Sequence, residues 1–317
     1  ESDDVGAVSE PDELLVVLRT MLTTLSGTRY RGRVALGDGI DAFLFDRGSE
    51  GIIALWGRGD TPQPSELALN LGDHPARLDL WGNAAPLLQP RGEQRGRVRV
   101  DIGPMPIFLI DIDGHQAQLR ASVAIDQPLL ESTFRPHERR IRFVNTYDHA
   151  ITGTLHLRAP DGWTLDPPTF NFNLNPGDKF DQPVSILFPY SSVAGVKMLN
   201  CDFLIDGEKN PSFGVPLTLK LGLSDVGMET IAMRDGHDIF VQQMITNYGD
   251  RPINYSAFAT CPGQARQERV VVNLAPGATT IRRYRFENVP RTPRGEVRVG
   301  LHELQGTRLL NDSIAVQ

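Results

Sequence analysis

The sequence of 317 residues lacks several features that mark common functional classes. It contains no run of about 18 apolar residues, so no segment is long and apolar enough to span a membrane as a helix. It contains no stripe of basic residues, and we therefore expect no binding to nucleic acid. Cysteine occurs only at Cys201 and Cys261, too few for a disulfide framework or a metal site. We expect both to be unpaired thiols with a structural role.

Motifs of catalysis and of cofactor binding are also missing. The sequence has no Gly-x-Ser-x-Gly elbow, no phosphate-binding Walker loop and no His-Glu-x-x-His zinc motif. Glycoside hydrolysis needs two carboxylates about 5–10 Å apart. Four acids are available for such a pair, but nothing in the sequence brings any two of them together: Glu66, Asp79, Glu131 and Glu138. We expect the chain to be no enzyme and to bind no cofactor.

Two acids, Asp111 and Asp113, stand close together before Gly114 and His115, at the end of a predicted strand. A calcium loop would need a third acid and more oxygen ligands than this segment offers. A turn explains the pattern better than a calcium site does. We expect no metal there.

Glycine and proline are abundant, with 30 and 23 residues, which is typical of short strands joined by turns. Hydrophobic residues make up 40% of the chain, enough to form buried cores. The formal net charge of −7 arises largely from acids in the first 13 residues. Composition therefore favours a globular protein rich in strands.

One amphipathic helix is predicted near the start, over residues 11–26. Ser9 can cap it and Pro11 suits its first turn. Five apolar residues then recur at helical spacing and form one stripe: Leu14, Leu18, Met21, Leu22 and Leu25. We expect this stripe to pack on the following domain or on another copy of the chain.

After the helix the hydrophobic period changes to two, which predicts strands. Seven strands are expected in the first unit, at Tyr30–Val34, Ile40–Phe45, Gly51–Trp56, Glu66–Leu71, Arg77–Leu80, Arg97–Ile102 and Ile107–Asp111. Two further units repeat each other at an offset of about 100 residues, the size of an immunoglobulin-like domain. Asn145 and Asn247 occupy equivalent turns in these two copies. The predicted fold is all-β, with a leading helix and three tandem antiparallel β-sandwich domains of immunoglobulin-like type, covering 1–28 (tail and helix), 29–121, 122–223 and 224–317.

The first unit resembles the small β-sandwich that follows the barrel in retaining glycosidases of the (β/α)8-barrel clan. The likeness lies in the strand and turn residues of 43–56, 78–83 and 103–109. The second unit resembles the immunoglobulin-like module associated with α-galactosidases, through 144–145, 153–155, 159–163 and 174–178. The third unit is similar to the same class but lacks the tryptophan of the corner. These resemblances imply an accessory region of a glycoside hydrolase whose catalytic barrel lies upstream of Glu1, and a secreted, periplasmic or cell-surface location.

Aromatic side chains in loops are the best ligand candidates, because the apolar face of a sugar ring stacks on an exposed ring. Trp81 with Asn83 forms one candidate carbohydrate site, and Tyr147 with Asn145 and Asp148 forms another. The function expected is therefore non-catalytic: bracing or spacing a catalytic domain, with weak binding of polysaccharide. The alternative is a surface or scaffold protein whose immunoglobulin-like domains contact other proteins.

Overall fold

The computed structural model describes residues 13–37, 39–59, 63–67, 72, 74–88, 98–207, 212–290 and 296–316. Strands make up 59% of the described residues and helices 8%. The prediction of an all-β fold with a short leading helix is confirmed. The residues expected to begin that helix, Ser9 and Pro11, lie outside the described part.

The described residues of the first stretch form eight strands, whose apolar side chains pack in a main core and in a smaller cluster on the outer face of one sheet. Its elements are α1 Glu13–Leu25, β1 Arg29–Arg33, β2 Ile40–Arg47, β3 Glu50–Gly57, β4 Gln63–Leu67, β5 Ala76–Leu78, β6 Ala84–Pro86, β7 Val98–Ile102 and β8 Ile107–Asp113. Six strands form a sheet in the order β1-β2-β3-β8-β5-β6, and β4 pairs with β7. Strand β7 buries Val98, Val100 and Ile102 and exposes the residues between them, because only one of its faces meets the core. The short strand β6 was not expected from the sequence.

Helix α1 packs on the outer face of the six-stranded sheet, but only in part through the stripe that the sequence predicts. Val17 and Leu25 contact the apolar cluster of Ile52, Ala54 and Phe108 on that face. The predicted stripe is wrong for most of its members, since Leu14, Leu18, Met21 and Leu22 are exposed by 37–70%. The helix does dock on the first sandwich, through Val17, which lies outside the stripe, and through Leu25, the one member of the stripe that packs.

A second helix, α2 Gly114–Ser122, follows β8 and was not expected from the sequence. The carboxylate of Asp113 caps it by accepting a hydrogen bond from the Gln116 amide, at 3.1 Å. Ala117 packs in the core of the first stretch, whereas Leu119 packs in the core of the next one. One helix thus contributes to two cores.

The second stretch forms a sandwich of two sheets. Its strands are β9 Ala124–Ile125, β10 Leu129–Glu131, β11 His137–Val144, β12 Ile151–Arg158, β13 Thr164–Asp166, β14 Thr169–Leu174, β15 Lys179–Leu187, β16 Gly195–Ile205 and β17 Ser212–Gly222. The sheet orders are β10-β17-β16-β12-β14 and β13-β15-β11-β9. Among the described strands of the chain, the pairing of β10 with β17 is the one parallel pair. These two strands are far apart in sequence, so no hairpin dictates an antiparallel direction.

The third stretch forms another sandwich. Its strands are β18 Val226–Asp235, β19 Asp238–Asn247, β20 Ile253–Thr260, β21 Gln267–Leu274, β22 Thr279–Phe286, β23 Glu296–Glu303 and β24 Leu309–Ala315. They form the sheets β18-β19-β22 and β21-β20-β23-β24. Cys201 lies buried in the second core and Cys261 in the third, and both are free thiols, as expected.

Both helices are short, with 13 and 9 residues. Within the described ranges, no helix has the length and apolar character needed to cross a membrane.

Candidate functional site

Trp81 and Asn83 lie in the turn between β5 and β6, which is organised by Asp79. The Asp79 carboxylate accepts hydrogen bonds from the Trp81 amide at 3.0 Å, from the Asn83 amide at 2.9 Å and from Asn83 Nδ2 at 3.0 Å. Partial burial raises the pKa of Asp79, but the hydrogen bonds from Asn83 and Trp81 outweigh it and leave this pKa below its usual value. The turn therefore presents Trp81 in a fixed position while its own polar groups bond to each other.

A groove of about 640 Å³ separates this turn from α1. Trp81, which is 49% exposed, forms one side. Leu15, Arg19 and Thr23 of α1 line the groove as well. An aromatic surface beside a guanidinium group and hydroxyl groups can stack on a sugar ring and bond to its hydroxyls.

Asn145 is not available to a ligand in this way. The residue is 1% exposed, and its Nδ2 donates to the carbonyl oxygens of His149 at 2.9 Å and Leu174 at 3.0 Å. Its Oδ1 accepts from the Tyr147 amide at 3.0 Å. The side chain thus holds the β11–β12 turn together, and its two amide hydrogens are already used within the fold.

The equivalent position in the third stretch repeats this arrangement. Asn247 Nδ2 donates to the carbonyl oxygens of Arg251 at 2.8 Å and Leu274 at 2.9 Å, and its Oδ1 accepts from the Gly249 amide at 2.9 Å. Asn247 is fully buried. The repeated asparagine in the sequence therefore marks a repeated turn.

Tyr147 is half-buried between two histidine rings. Its ring centre lies 5.9 Å from that of His115, in a stacked arrangement, and 5.3 Å from that of His149. Burial, together with the charge of Asp113, raises the pKa of Tyr147 above its usual value. Asp148 is exposed, and its hydrogen bond with His149 Nδ1, at 2.9 Å, lowers its pKa. Tyr147 is therefore packed against neighbours rather than presented as an open stacking surface.

The two candidate groups are not brought together. Trp81 lines the groove beside α1 and Asn83 lies in the same turn, whereas Asn145, Tyr147 and Asp148 lie near His115 at the start of α2. No hydrogen bond or ring contact joins the two groups in the described part of the chain. The acids at 111 and 113 belong to no group of three or more possible metal ligands among the described residues.

Sequence reasoning missed the residues that join the sandwiches. At the first joint, the buried Arg120 of α2 donates to the Gly214 carbonyl at 2.6 Å and to the Ala35 carbonyl at 3.5 Å. Burial lowers the pKa of Arg120 to about 9, so the guanidinium remains charged at neutral pH. The side chain therefore ties the first sandwich to the second.

Arg308 occupies the second joint, where its side chain is 19% exposed. It forms ion pairs with Glu131 at 3.0 Å, with Glu303 at 3.7 Å and with Asp225. Backbone hydrogen bonds add to this contact, from the Leu309 amide to the Ser132 carbonyl at 2.9 Å among others. The second and third sandwiches are thus held together by both side chains and backbone.

No protein-family model matches the chain, and no curated protein does. Among solved structures, alpha-2-macroglobulin of Escherichia coli, activated by porcine elastase, is similar over 88% of this chain, with 12% identity and a TM-score of 0.34. The chain spans only 33% of the length of that macroglobulin.

Two smaller structures are also similar to this chain. The E. coli chaperone DraB matches 61% of this chain and 97% of its own length, with 13% identity and a TM-score of 0.24. The Pseudomonas aeruginosa CupB2 chaperone matches 57% of this chain and 93% of its own, with 11% identity and a TM-score of 0.23. Likeness at this level supports no statement about what the chain does.

Proposed function

We propose that this chain is a non-catalytic, stiff arm of three domains, 29–121, 122–223 and 224–317, which holds a neighbouring domain at a fixed position. The observation that carries this proposal is the construction of the two joints. Arg120 bonds to backbone on both sides of the first joint, and Arg308 pairs with acids on both sides of the second. A chain that only tethered its neighbours would need no such contacts.

The connections between the domains are also short. Strand β17 ends at Gly222 and β18 begins at Val226, so only residues 223–225 connect the second and third sandwiches. At the first joint the connection is α2 itself, which packs in both cores. Flexible linkers are rich in glycine and serine and behave as random coils. Of these two connections, one is very short and the other is a packed helix. Short connections and bonded interfaces both favour one fixed arrangement of the three domains.

The resemblances to glycosidase-associated domains suggest what the arm serves. We propose an accessory region of a carbohydrate-active enzyme, in a secreted, periplasmic or cell-surface protein, with the upstream catalytic domain as its partner. The groove beside Trp81 is its proposed contact with polysaccharide. One stacked ring and a few exposed hydrogen bonds contribute about 1 kcal/mol each, so we expect an affinity in the range of about 1 mM.

A second candidate function is a scaffold that contacts other proteins. The outer face of the sheet β18-β19-β22 carries four exposed apolar side chains, Ile231, Met233, Phe240 and Ile281, with exposed fractions of 38–56%. Methionine and aromatic residues are enriched in protein interfaces. This surface favours the scaffold function independently of any sugar site.

Small-angle X-ray scattering tests the stiff arm. We expect the distance distribution of the purified chain to match one arrangement of three domains. A variant with a flexible Gly-Ser segment inserted between Leu223 and Ser224 should give a broader and longer distribution. If the unmodified chain already gives the broader distribution, the joints do not hold and the proposal fails.

Affinity electrophoresis in gels that contain plant or algal polysaccharides tests the sugar contact. We expect retardation that Trp81→Ala weakens and that Tyr147→Phe, which keeps a packed ring, leaves unchanged. Retardation that survives Trp81→Ala and Tyr147→Ala together would show that the candidate residues are misplaced. Turnover of aryl glycosides by the purified chain, lost on replacing one of its carboxylates, would contradict the non-catalytic function.

A further inference from the structure

A second cleft lies at the joint of the second and third sandwiches, apart from the groove beside Trp81. It has a volume of about 420 Å³ and lies between the loop at 190–193 and the outer face of the sheet β21-β20-β23-β24. A cavity of about 400 Å³ at the Pro262–Gly263 corner shares Thr260, Glu296 and Arg298 with it. The two cavities therefore form one elongated cleft with Arg298 and Glu296 in its middle.

Tyr190 provides an aromatic wall at one end of this cleft. Its ring is 50% exposed and is stacked on Phe134, with ring centres 4.9 Å apart and planes 6° apart. Because Phe134 covers one face of the ring, the opposite face is the exposed one. Asn311 Nδ2 donates to the Tyr190 carbonyl at 2.7 Å and fixes the loop. Tyr190 is thus a held surface for stacking, which needs little ordering when a ligand binds.

The middle of the cleft offers hydrogen-bonding groups of both signs. The Arg298 side chain is exposed and makes no hydrogen bond or ion pair with another described residue. The Glu296 carboxylate accepts one hydrogen bond, from Ser313 Oγ at 3.1 Å. Arg266 lies over the Phe258 ring, 3.8 Å from its centre, and closes the floor of the cleft. A free guanidinium and a carboxylate with spare acceptor capacity can each bond to two neighbouring hydroxyl groups.

The charges along the cleft select the class of ligand. Two cationic side chains, Arg266 and Arg298, are balanced by two acidic ones, Glu296 and Asp312. A strongly acidic ligand would meet the two carboxylates, and a strongly basic one would meet the two guanidinium groups. A neutral molecule with many hydroxyls and apolar ring faces meets neither difficulty.

We propose that this cleft binds a neutral oligosaccharide, with Tyr190 stacked on one sugar ring and with Arg298 and Glu296 bonded to its hydroxyls. The elongated shape accommodates a chain of rings rather than a single sugar. This site depends on neither the stiff arm nor the Trp81 groove. The experiments can therefore refute the stiff arm, the Trp81 groove or this cleft without refuting the other two.

Saturation-transfer NMR and titration of the full chain test this proposal. The probes are neutral oligosaccharides of glucose, xylose, mannose and galactose, with an oligogalacturonide as the acidic comparison. Variants Tyr190→Ala and Arg298→Ala remove the stacking surface and the cation, and Tyr190→Phe keeps the ring. Tyr248→Ala and Arg283→Ala are matched controls, because Tyr248 is an exposed loop tyrosine and Arg283 lies on the opposite sheet. Thermal unfolding of each variant checks that it folds.

We expect at least one neutral oligosaccharide to bind, and Tyr190→Ala or Arg298→Ala to weaken it by about fivefold or more. Tyr190→Phe, both controls and Trp81→Ala should change the affinity by less than about twofold. Preference for the oligogalacturonide, absence of binding by all neutral probes, or binding that survives both alanine variants would overturn the proposal. Binding that Trp81→Ala alone removes would belong to the other groove and would overturn it as well.

Discussion

Replacing Arg308 with methionine is the sharpest test of how the second and third sandwiches are joined. The change keeps the apolar stem of the side chain and removes the cation. Glu131, Asp225 and Glu303 are then left close together with no positive partner. Burial alone would lower the pKa of Arg308, but Tyr255, Asp225 and Glu131 raise it above its usual value, so the cation is present at neutral pH.

The exposed fractions of the four side chains set the size of the effect. Arg308 is 19% exposed, Glu303 27%, Asp225 32% and Glu131 49%. Removing one partner of a fully buried pair costs about 3–5 kcal/mol, whereas a fully exposed pair contributes about 0–1 kcal/mol. This cluster lies between those limits. We expect Arg308→Met to lower the free energy of unfolding by about 2–3 kcal/mol.

Urea denaturation followed by circular dichroism and by tryptophan fluorescence measures this loss. Arg285→Met is the matched control, because Arg285 pairs with Asp238 at 2.7 Å while its side chain is 57% exposed. We expect the control to lose clearly less stability than Arg308→Met, and its loss to shrink in high salt. Equal losses for both variants would refute the argument, since burial at the joint would then contribute nothing.

Three further predictions each test one feature of the fold. Burial lowers the pKa of His137. Below about pH 6.5 the unfolded chain binds a proton that the folded chain resists, so stability should fall as the pH drops from about 7 to 5. His137→Phe should flatten this slope in urea titrations, and His156→Gln, at an exposed strand position, should not. Asn145→Ala removes three hydrogen bonds to backbone and should cost about 2–3 kcal/mol of unfolding free energy. In the same assay Leu22→Gln on α1 should cost less than about 0.5 kcal/mol, and Leu25→Ala about 1–2 kcal/mol.

The sequence predicts many of the strands because they alternate between core and solvent, as β7 and β12 do, and this alternation is local. Which side of α1 packs on the sheet, by contrast, is not decided by the local sequence. Arg47 Nη2 donates to the Ser26 carbonyl at 2.7 Å and to the Thr24 carbonyl at 3.4 Å, and this contact with β2 holds the end of the helix. Val17 and Leu25 consequently face the sheet. The hydrophobic period alone identifies the helix, but it does not decide which of two apolar sides packs.

Helix α2 and its role could be read from the sequence only in part. Asp113 followed three residues later by Gln116 is a recognisable helix start. Arg120, however, bonds to residues 85 and 94 positions away in sequence. No local pattern predicts such partners, and an arginine in a polar helix gives no sign of burial. The joint is therefore visible only in the folded chain.

The candidate sites show the same limit in another form. Asn145 and Trp81 both stand in turns with polar neighbours, so each turn, taken by itself, suggests a ligand site. The internal repeat already distinguishes them, because Asn247 recurs at the equivalent turn whereas Trp81 has no counterpart. A residue that recurs in every copy of a domain serves the turn that recurs with it. Trp81, by contrast, is half-exposed, and no repeated turn requires a tryptophan at its position.

The proposed stiffness of the joints would give the two proposed sugar sites a property that neither has alone. The Trp81 groove lies on the first sandwich and the Tyr190 cleft at the second joint, with Arg120 bridging the sandwiches between them. When the distance between two weak sites is fixed, a long polysaccharide that spans both gains affinity only if its own chain matches that distance. A flexible arm would accept many chain geometries, each with a lower effective concentration. Selectivity for the shape of a polysaccharide would thus come from Arg120 and Arg308, which contact no sugar, as much as from the aromatic rings that do.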